Sequence, residues 1–298
     1  MPATFGDAER HICGLFPRGS HFLYGGIKYE VQFVGKPTCS RGEPKTDVYV
    51  LASSVRGTQE FKISFKKENA NFLENKTNSE RAELLFGPYW QDIICNATTA
   101  LHREFESRPL IYKQSFRRTG AGAITLGWKF ELLNVDSGQL SGDMLLTRDQ
   151  IIDVYSGTNL TGDKRDASVN GRTIRGSGVA NFILFEEYRP RTIQEAADML
   201  ITVEDYVDEN PNVYFACKAL NYRSFVDKYD GNRPLAVYVD WRVERNMLVS
   251  ELVYDTPLLQ GGDYAYDRLN RALRTLGVNT TNDLNAHNVA DARTIWNG

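Results

Sequence analysis

Charged and apolar side chains alternate strictly along residues 60–66. A β-strand points successive side chains to opposite faces, so this segment has one apolar face and one polar face. The polar face carries Glu60, Lys62, Ser64 and Lys66. Asp47 lies on the strand-like run that precedes this segment. Carboxylates bind hard cations such as Mg²⁺, and a lysine can orient an attacking water, so these residue types suit metal-dependent hydrolysis.

The runs at 47–55 and 59–66 are predicted to form a β-hairpin around a turn that contains Arg56-Gly57. The side-chain period of a strand is two, so a pairing shifted by one residue would place Asp47 on the apolar face. Only shifts by an even number of residues keep Asp47 with the polar side chains.

The hairpin resembles the PD-(D/E)XK nuclease superfamily, which includes many type II restriction endonucleases. The shared pattern is an acidic residue, followed by a strand with an acidic or small polar residue two positions before a lysine. It covers residues 36–87, with segments 42–50 and 63–67 carrying the resemblance. Thr46 stands where the motif has a proline. The resemblance implies an endonuclease that hydrolyses the phosphodiester bonds of double-stranded DNA, with Mg²⁺ as cofactor and Mn²⁺ as a substitute.

Two registers of the hairpin are open, and they give different sites. A two-residue turn at Arg56-Gly57 pairs Asp47 with Lys66. Glu60 would then lie roughly 20 Å from Asp47 along the strand, too far to share a metal. The site would be Asp47, Ser64 and Lys66. Some restriction enzymes that resemble this pattern take the missing carboxylate from the following helix, and Glu80 lies 14 residues after Lys66.

The second register slips the pairing so that Asp47 faces Lys62. The site would then contain Glu60 and Lys62 in the ordinary motif, with a six-residue loop at 52–57. The first register is preferred, because Glu60 lies at the very start of its strand with no apolar run before it. The predicted metal ligands are therefore Asp47 with Glu80 or Glu60.

Strands and helices follow one another in a mixed order without regular βαβ alternation, which predicts an α+β (mixed α/β) fold. Helices are predicted at 5–16, 79–86, 89–105, 148–155, 193–207 and 264–276, with an amphipathic turn at 69–75. Further strands are predicted at 27–34, 123–135, 179–185, 213–221, 235–242 and 247–254. We expect a central mixed β-sheet flanked by helices, as in restriction endonucleases. Residues 1–135 would form this nuclease core, and residues 136–298 a β-rich part for DNA recognition and dimerisation.

Composition and missing motifs exclude several classes of protein. The 298 residues are 42% hydrophobic and 24% charged, as in folded globular chains. The four cysteines form no CxxC pair, which argues against a disulfide framework or a zinc site. The sequence lacks a P-loop, an HExxH motif and a GxSxG motif. Without a signal peptide or membrane span, we expect a cytoplasmic protein with no membrane partner.

Two basic segments suit contacts to DNA phosphates and base edges. The candidate residues are Arg117, Arg118, Arg172 and Arg175, with Asn170 beside the last two. A nuclease of this kind is expected to act as a homodimer. A different class of function stays open, in which the charged hairpin face meets a partner in a non-catalytic binding or assembly module, for example a viral or multi-subunit component.

Overall fold

The computed structural model describes residues 5–67, 71–75 and 77–298. In these ranges the α-helices are α1 (Phe5–Leu15), α2 (Ser79–Phe86), α3 (Trp90–Thr99), α4 (His102–Glu106), α5 (Arg148–Ser156), α6 (Gly162–Arg165), α7 (Ile193–Asp198), α8 (Val203–Glu209) and α9 (Gly262–Leu276). None of the helices described is long and apolar enough to cross a membrane.

The strands of the same ranges are β1 (His21–Tyr24), β2 (Ile27–Gly35), β3 (Pro37–Thr38), β4 (Val48–Ser54), β5 (Gly57–Lys67), β6 (Phe72–Glu74), β7 (Ile111–Tyr112), β8 (Ala123–Leu133), β9 (Ser141–Met144), β10 (Ser168–Val169), β11 (Arg172–Thr173), β12 (Phe182–Glu186), β13 (Leu200–Thr202), β14 (Val213–Arg223), β15 (Lys228–Tyr229), β16 (Val237–Glu244), β17 (Met247–Val253) and β18 (Ile295–Trp296). The mixture of helices and strands is the α+β class that the sequence predicts.

The chain divides into two compact units, each built from two separate segments. The first unit joins residues 1–71 to 146–211, and the second joins 72–145 to 212–298. The expected boundary after residue 135 divides the chain into consecutive halves, whereas residues 146–211 pack with the N-terminal segment. The assignment of a nuclease part and a recognition part stays a prediction.

The first unit is organised by a six-stranded mixed sheet in the order β1-β2-β4-β5-β12-β13. Its first four strands form antiparallel neighbours, β12 runs parallel to β5, and β13 is antiparallel to β12. The parallel neighbours need a long crossover, and the segment between β5 and β12 supplies it. The strands that bear the candidate site therefore lie in the interior of one sheet.

Helices cover both faces of this sheet. On one face, α1 and α7 pack against the apolar side of β5, whose Phe61, Ile63 and Phe65 are buried. The Phe61 ring lies between 5.1 and 5.6 Å from four other aromatic rings. On the other face, the ring of Tyr206 from α8 lies 4.8 Å from that of Phe185 on β12. The apolar face of the predicted alternation is thus core.

Two of the predicted helices are interrupted. The span 89–105 is divided into α3 and α4. The span 193–207 is divided by β13, which pairs Thr202 with Phe182, and the Thr202 side chain then caps α8 by accepting a hydrogen bond from Asp205 N. The helical turn predicted at 69–75 lies partly outside the described residues, and Phe72–Glu74 is a strand. Strand pairing overrides the local helical pattern at 200–202 and at 72–74, whereas α3 and α4 are separated by a turn.

The second unit is strand-rich. Its nine-stranded sheet runs β15-β14-β8-β16-β17, with β6 and β7 also pairing β8, β9 pairing β14, and β18 parallel to β7. Helix α9 buries a stripe formed by Ala265, Leu269, Ala272 and Leu273. On the sheet, buried Glu131 accepts a hydrogen bond from Lys129 at 2.5 Å and forms an ion pair with Lys218 at 2.8 Å. A paired carboxylate of this kind is a structural feature of the sheet.

Candidate functional site

The β4–β5 hairpin adopts neither of the two predicted registers. Tyr49 pairs with Lys62, midway between the Ser64 and Glu60 partners that those registers require. Both predicted registers are therefore wrong. Carried two residues further, the observed register brings Ser64 across from Asp47, whose main-chain N–H donates to the Ile63 carbonyl at 2.8 Å.

The difference arises at the turn. Its two central residues are Val55 and Arg56, one position earlier than predicted, and Ser54 pairs with Gly57. The Ser54 hydroxyl accepts a hydrogen bond from Arg56 N at 3.1 Å and donates to the Gly57 carbonyl at 3.2 Å. Gly57 has a φ of +108°, which glycine adopts without strain. The glycine thus closes the turn and is not one of its central residues.

Asp47 is held just before β4, where the site begins. One carboxylate oxygen accepts a hydrogen bond from Phe65 N on β5 at 2.8 Å. Burial raises the pKa of Asp47 from 3.8 to about 6, against the opposing effects of Lys66 and of the Phe65 N–H. Burial therefore disfavours the ionised form of Asp47, as is typical of functional carboxylates.

Three further charged groups act on the Asp47 carboxyl through their charge. Lys66 and Lys36 lower its pKa, and Glu9 raises it. Glu9 projects from α1 and forms an ion pair with Lys36, and its side chain is only 13% exposed. Glu9 and Lys36 were not among the residues predicted from the sequence. Glu9 is distant in sequence from the hairpin and lies on α1, whereas Lys36 directly follows β2, which pairs with β4.

Ser64 lies on β5 between the two candidate lysines. It is fully buried, and its hydroxyl has no hydrogen-bond partner in the described part of the protein. A buried hydroxyl without a partner destabilises a fold by about 1–3 kcal/mol. The Ser64 hydroxyl is therefore a candidate for a role other than packing. An oxygen at this place can serve as a ligand for a bound ion or water.

Lys62 and Glu60 have different partners from Lys66. The Tyr49 hydroxyl donates to Glu60 Oε1 at 2.5 Å, and Glu60 Oε2 lies 3.8 Å from Lys62 Nζ. Lys62 Nζ also donates to the Gly176 carbonyl at 3.3 Å. These contacts give Lys62 a role in holding a neighbouring segment. The structure favours Lys66 as the lysine that acts on Asp47.

The remaining predicted site residues belong to different units. Arg172 and Arg175 are exposed in the first unit, with the hairpin, whereas Glu80 lies in the first turn of α2 in the second unit. Arg117 and Arg118 also belong to the second unit, where Arg117 donates to Gln139 at 2.9 Å. The expectation that Glu80 completes the metal site stays a prediction.

The donor set is sparse for a metal. Across residues 5–67, 71–75 and 77–298, no group of three or more His, Cys, Asp or Glu side chains could hold a metal ion. Mg²⁺ itself keeps several waters and uses only one or two protein carboxylates. Asp47 supplies one carboxylate toward that limited requirement, and the unpartnered Ser64 hydroxyl lies across from it on β5. They do not fit an ion that needs an all-protein cage.

Comparison with known proteins gives no match: no family model, curated protein or solved structure is similar enough to this chain to assign it. The resemblance to nucleases therefore rests on the residues of the hairpin and their surroundings alone.

Substitution of Ser64 tests whether its buried hydroxyl stabilises the fold. We expect Ser64→Ala to leave the free energy of unfolding unchanged or raise it by about 1 kcal/mol, because it removes a buried hydroxyl that lacks a partner. Urea denaturation measures this effect. A loss of more than about 1 kcal/mol would mean that the hydroxyl stabilises the fold, as would be the case if a structural water satisfied it.

Proposed function

We propose that this chain is a metal-dependent endonuclease that hydrolyses phosphodiester bonds in double-stranded DNA, of the type II restriction-like kind. The observation that carries the proposal is the buried Asp47 carboxyl, which accepts a hydrogen bond at 2.8 Å from the backbone N–H of Phe65, the residue before Lys66 on β5. Burial raises its pKa to about 6, and the charge of Lys66 opposes that shift. A buried carboxylate beside a lysine suits a site that takes up a cation and a phosphate.

Each residue of the site has a distinct task in this proposal. Asp47 and the Ser64 hydroxyl would hold Mg²⁺ or Mn²⁺, with waters as the remaining ligands. When bound, the ion supplies Lewis acidity at the phosphate and a more acidic water. Lys66 would orient the attacking water and offset the negative charge that develops on the phosphate.

A second candidate is a non-catalytic binding or assembly module. The observation in its favour is that Ser64 stands where the nuclease motif has its second carboxylate, which leaves few ligands for a metal. In that case the charged strand face would meet a partner and no bond would be cleaved. The two candidates differ in whether DNA is cut.

The direct test is cleavage of supercoiled plasmid by the purified chain. We expect nicked and linear products with Mg²⁺ or Mn²⁺, none with excess EDTA, and no change on addition of ATP, because the sequence has no P-loop. Agarose gels follow the time course. Activity that persists in EDTA would reject the assigned chemistry. A chain that binds DNA and never cleaves it, across a panel of plasmids of different sequence, would favour the binding module.

A further inference from the structure

A small β-hairpin lies beside the candidate site in the first unit. Strands β10 and β11 are joined by Asn170-Gly171, with φ values of +50° and +79°. Asparagine followed by glycine is the preferred pair for a two-residue hairpin turn, because both positions require positive φ. We call residues 168–175, the two strands and the two residues after them, the Asn-Gly hairpin. Its geometry is defined locally by its sequence.

The Asn-Gly hairpin is fixed to the main sheet. The Asn170 side-chain amide donates to the Val34 carbonyl at 2.9 Å, and Val169 pairs with Pro37 of β3. Gly35 makes this close approach possible. A Cβ at that position would lie 2.7 Å from Val169 Cγ1 and 2.8 Å from Asn170 Oδ1. Any larger residue at position 35 must push the hairpin away.

The same contacts place the hairpin next to the candidate site. Gly35 is followed directly by Lys36, which acts on the Asp47 carboxyl. The segment that leaves the hairpin is held as well, because Lys62 Nζ donates to the Gly176 carbonyl. The hairpin and the segment after it are thus attached to the strands that carry the site.

Its charged side chains are exposed and basic. Arg172 and Arg175 are both exposed, and residues 167–178 contain no acidic residue. The Arg172 guanidinium lies over the Phe33 ring at 5.9 Å, so part of its position is already defined before a ligand binds. A two-stranded ribbon with arginines matches the width of the DNA major groove and the charge of its phosphates.

We propose that the Asn-Gly hairpin is the element that positions duplex DNA against the candidate site. Arg172 and Arg175 would contact the DNA, and Gly35 is the position against which the hairpin packs. This inference rests on the proposed function. The Asn170 amide is already used in anchoring the hairpin, so it positions the ribbon and does not read bases, contrary to the expectation from sequence.

Binding of a fluorescent DNA duplex in EDTA, measured by anisotropy at several salt concentrations, tests the contacts apart from cleavage. We expect Arg172→Ala and Arg175→Ala each to weaken binding by roughly fivefold and to reduce the slope of log K against log salt by about 1. Arg56→Ala is the matched control. It removes an exposed arginine at the turn of the β4–β5 hairpin, at the opposite end of β4 from Asp47, and should bind as the wild type does.

Two variants test whether the packing of the hairpin against Gly35 matters for DNA binding. Gly35→Ala should weaken duplex binding at least as much as Arg172→Ala, whereas Gly14→Ala, at a glycine with open space around it, should not. Asn170→Gly keeps the positive φ, removes the anchor, and should also weaken binding. Thermal unfolding confirms that each variant is folded, and Asn170→Gly carries the test if Gly35→Ala does not fold.

The outcomes separate this inference from the proposed function. If the wild type cleaves plasmid but the variants at Gly35, Asn170, Arg172 and Arg175 all bind duplex as tightly as Arg56→Ala, the inference is rejected and the nuclease proposal stands. A preference for single-stranded over duplex DNA would also overturn it. If the wild type neither binds nor cleaves DNA, the proposed function fails and the inference fails with it.

Discussion

Asp47→Asn should abolish plasmid cleavage and at the same time make the protein more stable at pH 8. The amide keeps the shape of the carboxyl, and its oxygen can still accept the hydrogen bond from Phe65 N. It cannot contribute the negative charge that a divalent cation needs. We expect a loss of at least about 10³-fold in cleavage rate, measured under single-turnover conditions.

The stability gain follows from the raised pKa of Asp47. A carboxyl whose pKa is about 6 in the folded state and 3.8 otherwise binds more protons when folded, so ionising it opposes folding as the pH rises through 6. Removing that penalty should stabilise Asp47→Asn at pH 8 by up to about 3 kcal/mol. The difference should disappear near pH 3, where Asp47 is protonated in both states.

Asp163 provides a matched control, because its pKa is shifted in the opposite direction from that of Asp47. Hydrogen bonds from the Ser40 side chain and backbone lower the pKa of Asp163, so its charge favours folding. Asp163→Asn should therefore gain no stability at pH 8. Thermal unfolding of the three proteins from pH 3 to 8, in EDTA, measures both effects. If Asp47→Asn loses stability and activity together, the carboxylate has a structural role.

The second large effect is expected at Lys66. Lys66→Ala should lower the single-turnover cleavage rate by at least about 10²-fold, because it removes the cation whose charge lowers the pKa of Asp47 and which, in the proposed function, would offset the charge that develops on the phosphate. DNA affinity should change little. Lys62→Ala should show the reverse pattern, with weaker DNA binding and a cleavage rate at saturating DNA within about tenfold of the wild type. Its ammonium group is bonded to Gly176 and Glu60 and not to Asp47.

Lys62 and Lys66 are matched within one molecule, since they lie four residues apart on the same face of β5. Glu60→Gln adds a control for charge on that face and should leave cleavage nearly unchanged. If Lys62→Ala loses the rate and Lys66→Ala retains it, the site lies at the Glu60 end of the strand. If both variants cleave normally, the hairpin is not an active site.

Local pattern was enough for much of the hairpin. Alternation along 60–66 correctly predicts that Phe61, Ile63 and Phe65 enter the core, because a strand that covers a core buries every second residue. It does not predict the burial of Ser64 on the other face. The register was not predictable from this pattern. A turn moved by one position satisfies the same alternation, and side-chain hydrogen bonds of Ser54 together with the φ of Gly57 select it.

The α+β class and the candidate residues Asp47, Ser64 and Lys66 follow from the sequence by itself, because each depends on residue types within a few positions of one another. Tertiary structure alone decided that the charges of Glu9 and Lys36 act on Asp47, that residues 146–211 pack with the N-terminal segment, and that Asn170-Gly171 forms a hairpin turn packed against Gly35. These contacts join parts of the chain that are distant in sequence. They form only when burial of the two sheet faces brings α1, the crossover segment and the hairpin together. A pattern of residue types within a short segment therefore cannot predict them.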